Sequence, residues 1–187
     1  MPRLRLRMAT GSDFDAIADL VNEFIVNTTT HFGWQVQSAA ELHEAWQLDR
    51  RRFPWLVAEL DDRFAGYAKA GTWRSRTAYD WTVETGIYLR AESRGQGVGK
   101  RLYRALIDLL AAQGFHGIVA GLTLPNPHSE ALHRALGFVP IGAVRQAGYK
   151  FGGWHDVVFY QLLLASSGHA AATIVDPAAI WRDTEFA

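Results

Sequence analysis

The run Arg94-Gly95-Gln96-Gly97-Val98-Gly99 constrains the fold more than any other feature, because it joins an apolar segment to a segment with helical periodicity. The apolar segment ends in Gly86-Ile87-Tyr88-Leu89, and the helical pattern extends from residue 97 to residue 113. A strand that turns through glycines into a helix leaves backbone N–H groups free at the positive end of the helix dipole. The pattern therefore predicts a loop that binds an anion such as a phosphate.

Two common phosphate-binding motifs do not fit this run. A Walker loop requires two glycines four residues apart, followed by Lys and then Ser or Thr, whereas Gly99-Lys100 is followed by Arg101. A dinucleotide-binding fingerprint requires G-x-G-x-x-G near the start of a βαβ unit, whereas the spacing here is G-x-G-x-G. An ordinary glycine-rich turn before a helix stays open as an alternative at this point.

Composition narrows the class of protein. The 187 residues are enough for one domain with a substantial core, and 19 basic residues balance 19 acidic ones, which does not favour a nucleic-acid surface. The absence of cysteine excludes disulfides, thiolate metal ligands and an acyl-cysteine intermediate. Because no apolar run approaches eighteen residues and no signal-peptide pattern is present, we expect a soluble cytoplasmic protein.

Hydrophobic periodicity and capping signals predict a mixed α/β fold with the element order βααβββαβαββ. The predicted strands cover residues 3–8, 55–60, 64–70, 79–89, 116–124, about 138–147 and 156–164. The predicted helices extend from a Ser12–Asp15 capping box to about Asn27, from a Ser38–Glu41 capping box to before Pro54, over 97–113, and from an Asn126 N-cap to Gly137. Beyond them, Ser166-Ser167-Gly168 is typical of a linker, and Ala178 to Trp181 indicates a short helix.

The R-x-x-G-x-G pattern between the fourth strand and the third helix resembles the signature of the GNAT acetyltransferases. Four further segments, residues 79–84, 124–126, 132–138 and 148–157, resemble the phosphinothricin and methionine sulfoximine N-acetyltransferase subfamily. The resemblance implies a mostly antiparallel sheet of about seven strands, splayed between strands 4 and 5, with flanking helices. It covers about residues 3–164, so we expect an acetyltransferase domain over 1–164 and a C-terminal extension over 165–187.

The resemblance further implies that acetyl-CoA is the co-substrate. No metal is expected, because His155-Asp156 and the pair His128 and His133 lack any recognised ligand spacing. The family holds the cofactor's pyrophosphate on the glycine loop, here Arg94, Gly95, Gln96, Gly97, Val98 and Gly99. It pairs the pantetheine arm with the strand before the loop, here Ile87, Tyr88 and Leu89, and places a further hydrogen bond at Asn126. From the residues alone, the three strand positions are equally typical of a core strand, and Asn126 of a simple helix N-cap.

Two residues are candidates for proton transfer between an amine and a thioester. Glu84 lies in a mostly apolar strand, where burial raises the pKa of a carboxylate, and the family places its catalytic base at this position. His133 lies where many GNAT enzymes have a tyrosine that protonates the departing thiolate, and the subfamily resembles this chain in having histidine there. Without the resemblance, a solvent-facing glutamate and a structural histidine are the ordinary interpretations.

Candidates for acceptor binding follow from the same resemblance. Arg74, Ser75 and Arg76 precede the motif strand, and arginines suit a carboxylate or phosphinate, although two exposed loop arginines are an equal alternative. Phe32 and Tyr79 are expected to shape the pocket. The predicted reaction is direct acetyl transfer, through a ternary complex, to the α-amine of a small amino-acid-like acceptor such as phosphinothricin, methionine sulfoximine or methionine sulfone. The enzyme is expected to be homodimeric, as its relatives commonly are. The alternatives are acetylation of a protein N-terminus or another amine, and a non-catalytic acyl-CoA-binding module.

Overall fold

The computed structural model describes residues 2–164 and 170–186, so the predicted Ser166-Ser167-Gly168 linker lies outside the described residues. The strands are β1 Leu4–Met8, β2 Trp55–Leu60, β3 Arg63–Thr72, β4 Thr82–Leu89, β5 Gly117–Thr123, β6 Val139–Lys150, β7 Gly153–Leu163 and β8 Thr184–Phe186. The helices are α1 Phe14–Asn27, α2 Ala39–Asp49, α3 Val98–Gln113, α4 Pro127–Ala135 and α5 Pro177–Ile180. Within these ranges, no helix is long and apolar enough to cross a membrane.

The strands that the structure describes form a single sheet in the order β6-β7-β5-β4-β3-β2-β1-β8. Neighbouring strands are antiparallel except for β4 and β5, which are parallel because α3 crosses over between them. The predicted mixed α/β fold with a mostly antiparallel sheet is confirmed. The sheet has one strand more than the predicted seven or so, since β8 comes from the C-terminal segment.

The sheet opens between β4 and β5. These two strands pair at Thr82↔Gly117, Val83↔Ile118 and Glu84↔Val119, whereas β4 continues to pair with β3 as far as Leu89. From Thr85 onward, the edge of β4 that faces β5 is therefore free of ladder hydrogen bonds in the described structure. The predicted splay lies here, and it begins one residue beyond Glu84.

Each face of the sheet carries its own core. On the α3 face, Leu102 and Leu106 of α3 pack with Val83 and Ile118. On the α1 face, buried residues of α1 and α2 pack with Trp55 and Tyr67. Because side chains alternate along a strand, β4 directs Val83, Thr85 and Ile87 toward the α3 face and Glu84, Gly86 and Tyr88 toward the α1 face.

The capping signals are partly as predicted. At α2, the Glu41 carboxylate accepts from the Ser38 N–H at 2.7 Å, which confirms the predicted capping box. Before α1, the box is formed two residues earlier than predicted, by Thr10 and Asp13, whose carboxylate accepts from the Thr10 N–H at 2.7 Å. The Ser12–Asp15 prediction was wrong because Asp13 is drawn to this position by Arg7, which donates to it at 2.7 Å from Nη1.

The strand predicted over 79–89 is shorter in the structure. Residues Thr77–Tyr79 form a turn of 3-10 helix, with the Asp80 N–H bonded to the Thr77 carbonyl at 3.0 Å, and β4 begins at Thr82. The predicted helix α3, by contrast, ends where expected, because Gly114 adopts a left-handed C-cap conformation with φ 99°.

The C-terminal segment completes the sheet. β8 pairs with β1 at Leu4↔Phe186 and Leu6↔Thr184, and the predicted short helix is present as α5. Gln113, at the end of α3, ties the segment to the domain, because its Nε2 donates to the carbonyls of Val175 at 2.8 Å and Arg52 at 3.0 Å. The expected division into 1–164 and 165–187 stays a prediction.

Candidate active site

The glycine loop leads directly into α3 in an anion-binding geometry. Gly97 is the N-cap of α3 with φ 78°, and Gly95 has φ 75°, a region that side chains other than glycine rarely enter. A Cβ at either position would meet no atom within 4 Å, so the loop surface is open. The first backbone N–H groups of α3 have no acceptor within the helix and are available to an anion.

The polar side chains of the loop stabilise its conformation by hydrogen bonds to nearby backbone carbonyls. Arg94 donates from Nη2 to the Leu89 carbonyl at 3.1 Å, and Gln96 donates from Nε2 to the Glu92 carbonyl at 2.6 Å. With donors of both side chains bonded to backbone carbonyls, the open loop surface offers mainly backbone N–H groups to an anion.

A narrow cavity of about 60 Å³ fills the opening between β4 and β5. It is lined by Thr30, Thr85, Gly86, Ile87, Tyr88, Ala120, Gly121, Leu122, Thr123, Asn126, Ser129 and His133. The structure thus brings together Ile87, Tyr88, Asn126 and His133, four of the predicted site residues. Leu89 is turned away into the α3 core. Asn126 also caps α4, since its Oδ1 accepts from the Ser129 N–H at 3.2 Å.

Glu84 stands on the α1 face at the last residue pair before the sheet opens. Its side chain is more exposed than the sequence predicted. Partial desolvation nevertheless raises its pKa, and the positive charges of Lys69 and Arg74 oppose that rise. The raised pKa keeps a proton acceptor poised closer to neutral pH than an ordinary glutamate.

His133 is on the α3 face and is only 3% exposed. Its Nδ1 is 2.7 Å from the Ser129 carbonyl oxygen, which can only accept, so we infer that Nδ1 carries the proton. Its Nε2 is then the acceptor for the Tyr103 hydroxyl at 3.1 Å, and that hydroxyl is 2.6 Å from Thr85 Oγ1. Burial lowers the pKa of His133, which favours this neutral tautomer.

The predicted acceptor residues are spread over two loops. Phe32 packs against Gly148 of β6 so closely that a Cβ there would collide with its ring. Arg74 lies with its Cζ 5.0 Å from the centre of the Trp73 ring, and Ser75 and Arg76 are exposed. Tyr79 is in the 3-10 turn and is 44% exposed.

Three residues near the site are not among the predicted site residues. Lys150, only 1% exposed, donates from Nζ to the carbonyls of Ile25 at 2.5 Å, Thr28 at 2.8 Å and His31 at 2.6 Å. It thereby holds the end of α1 and the loop after it beside the opening. Tyr103 and Lys69 are the others, and a lysine within the apolar strand 64–70 was a signal that the sequence offered.

The described residues contain a further cavity elsewhere and no group of side chains that could hold a metal ion. A cavity of about 620 Å³ lies between α3 and the C-terminal segment, away from Glu84 and from the opening of the sheet. No group of three or more His, Asp or Glu side chains is placed to hold a metal ion among residues 2–164 and 170–186.

Comparison with known proteins agrees with this geometry. The family model described as an acetyltransferase (GNAT) domain matches residues 6–159. The chain is 44% identical to phosphinothricin N-acetyltransferase of Streptomyces viridochromogenes, over 84% of this chain and 86% of that protein. It is 38% identical to an L-methionine sulfoximine/L-methionine sulfone acetyltransferase of Pseudomonas aeruginosa, over 85% of this chain and 94% of that protein.

A solved structure shows the same arrangement. A GNAT superfamily phosphinothricin acetyltransferase from Sinorhizobium meliloti, in complex with acetyl-CoA, superposes with a TM-score of 0.85 at 34% identity, over 95% of this chain and 97% of that one. The open, mostly antiparallel sheet with a glycine loop before α3 is the fold of the acyl-CoA-dependent transferases that these comparisons find. The chain belongs to the GNAT acetyltransferase family and is an N-acetyltransferase.

Proposed function

We propose that this enzyme transfers the acetyl group of acetyl-CoA to the α-amine of a small amino-acid-like acceptor. Phosphinothricin, methionine sulfoximine and methionine sulfone are the acceptors that its relatives' names suggest. The observation that carries the proposal is the position of Glu84. Its carboxylate lies on the α1 face at the residue where β4 and β5 separate. The glycine loop follows the other end of β4.

The residues around the opening suit acetyl-CoA, which supplies an activated acetyl thioester when bound. The backbone of Gly95, Gly97 and Gly99 with Val98 would hold the pyrophosphate, because N–H groups at a helix N-terminus favour a diphosphate. The free edge of β4 at Ile87 and Tyr88 offers N–H and C=O groups to an amide-containing arm. Asn126 lines the same cavity and could add one hydrogen bond.

The two predicted catalytic residues lie on opposite faces of the sheet. Glu84 would take a proton from the acceptor ammonium, because an amine attacks a thioester only once it is neutral. His133 lines the cavity from the α3 face and is hydrogen-bonded to Tyr103, so proton delivery to the thiolate would involve this buried pair. The two proton-transfer tasks are thereby separated in space.

The acceptor would bind on the α1 face beside Glu84. Arg74 is close enough for its charge to lower the pKa of Glu84, and Ser75 and Arg76 extend the same loop. Phe32 and Tyr79 would border the pocket from the two neighbouring loops. Arginines at this place suit a carboxylate or phosphinate through paired hydrogen bonds.

An acceptor panel tests the reaction. Release of the CoA thiol is measured with acetyl-CoA and, in turn, L-phosphinothricin, L-methionine sulfoximine, L-methionine sulfone, a short peptide with a free N-terminus, and spermidine. We expect turnover with the amino-acid-like compounds and little with the peptide or the polyamine. Turnover confined to the peptide would support protein N-terminal acetylation instead, and no turnover with any acceptor would support a non-catalytic binding module.

We also propose that the enzyme is a homodimer in the cytoplasm. The outer hairpin of β6 and β7 exposes a group of large apolar side chains: Val139, Ile141, Val144, Tyr149, Phe151, Trp154 and Leu163. Such a patch on a sheet edge is typical of an interface between subunits. Light scattering during gel filtration should give twice the chain mass of 20.9 kDa, and Ile141→Asp should shift it to the monomer. Cell fractionation tests the location.

A further inference from the structure

Lys69 and Glu84 alternate with two glycines on the α1 face of the sheet. In the antiparallel register of β3 and β4, Lys69 stands opposite Gly86, and Glu84 stands opposite Gly71. A Cβ at Gly71 would meet nothing within 4 Å, and one at Gly86 would meet only the Tyr88 ring, at 3.5 Å or more. The two charged side chains therefore border an open depression whose floor is glycine.

The lysine itself is held in place but is not neutralised. Its Nζ lies 4.5 Å from the centre of the Trp55 ring, a cation–π contact that fixes the side chain. Within the described residues, no carboxylate oxygen lies within the 4.0 Å that defines an ion pair with this Nζ. Burial lowers the pKa of Lys69 and the charge of Glu84 opposes that effect, while the charge of Lys69 itself lowers the pKa of His31.

We propose that Lys69 binds the α-carboxylate of the acceptor and thereby restricts the enzyme to free α-amino acids. This inference rests on the proposed function, in which Glu84 receives a proton from the α-amine. Only two bonds separate the α-nitrogen from the carboxylate carbon, so a carboxylate must lie beside the amine that meets Glu84. Diagonal neighbours on adjacent strands are about 7–8 Å apart at their Cα atoms, which places Lys69 at a distance that a bound amino acid can bridge.

The proposal assigns different parts of the acceptor to different cations. Lys69, on a strand, is fixed by Trp55 and meets the group that all α-amino acids share. Arg74 and Arg76, on the loop before β4, would bind the distal phosphinate or sulfone oxygens, which vary between acceptors. A peptide N-terminus or an amino-acid amide has no carboxylate next to its amine and would leave the lysine charge unpaired.

The test compares one acceptor with and without its carboxylate. Steady-state kinetics are measured for L-methionine sulfone and for its α-carboxamide, with the wild-type enzyme and with Lys69→Met, Lys69→Arg and Arg63→Met. We expect the wild type to prefer the free acid by on the order of 10–100-fold in kcat/KM, the range of a charge-assisted contact. Lys69→Met should lose that preference, mainly through a higher KM for the free acid. Lys69→Arg should regain part of it.

Arg63→Met is the matched control, because it removes one positive charge from an exposed position at the start of the same strand. It should keep the wild-type preference. A Lys69→Met enzyme that still prefers the acid as strongly as the wild type overturns the inference while leaving the proposed function intact. A wild type that acetylates neither compound overturns the proposed function, and the inference with it. CoA affinity, measured by calorimetry, reports whether each variant is folded.

An NMR measurement on the wild-type enzyme tests carboxylate recognition by Lys69 even if Lys69→Met does not fold. The chain has three lysines, at positions 69, 100 and 150, so their labelled ε-methylene NMR signals are few enough to resolve. Saturation with the product N-acetyl-L-methionine sulfone should shift the Lys69 signal, and the corresponding amide should not. Equal shifts from the two compounds would contradict carboxylate recognition by Lys69.

Discussion

At the scale of single residues, Glu84 combines solvent access with a raised pKa. Its carboxylate is open to an incoming acceptor, yet the surrounding strand surface desolvates it enough to raise its pKa. A base must be deprotonated to work, so activity should fall as the pH is lowered through that raised pKa.

Glu84→Gln should lower kcat by on the order of a hundredfold or more, because the amide cannot accept the ammonium proton. The acid limb of the pH–rate profile should disappear with it. The measurement is CoA release between pH 5 and pH 9, with thermal unfolding as the check on folding. Glu44→Gln, an exposed change on α2, is the matched control and should behave as the wild type. Full activity in Glu84→Gln would remove this residue from the mechanism.

For His133, the structure adds the hydrogen-bond partners that the sequence could not show. Both of its ring nitrogens have protein partners, so it acts as one member of a chain from Thr85 through Tyr103. We expect His133→Ala and Tyr103→Phe each to change the pH dependence of kcat, because each breaks the same chain. His128→Ala, exposed on the same helix, should leave the profile unchanged. A wild-type profile in both variants would leave His133 with a structural role alone.

Short motifs with a fixed place relative to a strand or helix predicted the glycine loop, and the family resemblance that they carry made Glu84 and His133 candidates for catalysis. They could not show that Arg94 and Gln96 fold back onto backbone carbonyls, since that depends on rotamers. Lys69 was visible as a lysine within an apolar strand, but its cross-strand position relative to Glu84 was not. Register between strands is a long-range property that the alternation within one strand does not encode.

At the scale of elements, local signals were most reliable where a cap or turn residue fixes the backbone. The C-terminal end of α3 follows from Gly114, and the hairpin between β2 and β3 follows from Asp61-Asp62. All three residues have positive φ in the structure. The three-residue strand β8 could not be predicted, because it forms only by pairing with β1 at the other end of the chain. Short strands have too little sequence to show a pattern, and tertiary context decides them.

Gln113 is the residue by which the C-terminal segment can be tested. Gln113→Met keeps the volume but removes two donated hydrogen bonds and leaves the carbonyls of Arg52 and Val175 without those donors. We expect the free energy of unfolding to fall by about 1–3 kcal/mol. Urea unfolding measures the loss, and hydrogen exchange at the Val175 amide should accelerate, since that amide bonds to the Gln113 carbonyl. The exposed change Gln47→Met is the control, and an equal loss there would contradict a specific tether.

At the scale of the whole molecule, the opening in the sheet connects two differently built faces. The α1 face carries Glu84 and Lys69 in an open depression, and the α3 face carries the buried His133 and Tyr103. Lys150 ties the loop after α1 to the outer hairpin, so the acceptor side is joined to the far edge of the sheet. The stability of the molecule therefore depends on buried polar groups around the opening.

This dependence predicts how stability changes with pH. Burial lowers the pKa of His31 and of His133 from 6.5, so the unfolded chain binds protons that the native protein resists. The free energy of unfolding should therefore fall as the pH is lowered through 6.5. Asp13 adds a separate loss at lower pH: its hydrogen bonds from Arg7 and Thr10 outweigh desolvation and lower its pKa below 3.8, so the stabilisation disappears as the carboxylate is protonated.

Urea unfolding between pH 8 and pH 5 measures the first of these losses. The double variant His31→Gln/His133→Gln should show a shallower dependence of the unfolding free energy on pH, because the two groups that resist protonation are gone. The control is His116→Gln/His128→Gln, which removes two exposed histidines and should retain the wild-type dependence. If the two double variants depended equally on pH, the acid sensitivity would arise from groups other than the buried histidines. Comparing slopes rather than absolute stabilities keeps the test valid even where His133→Gln costs packing energy.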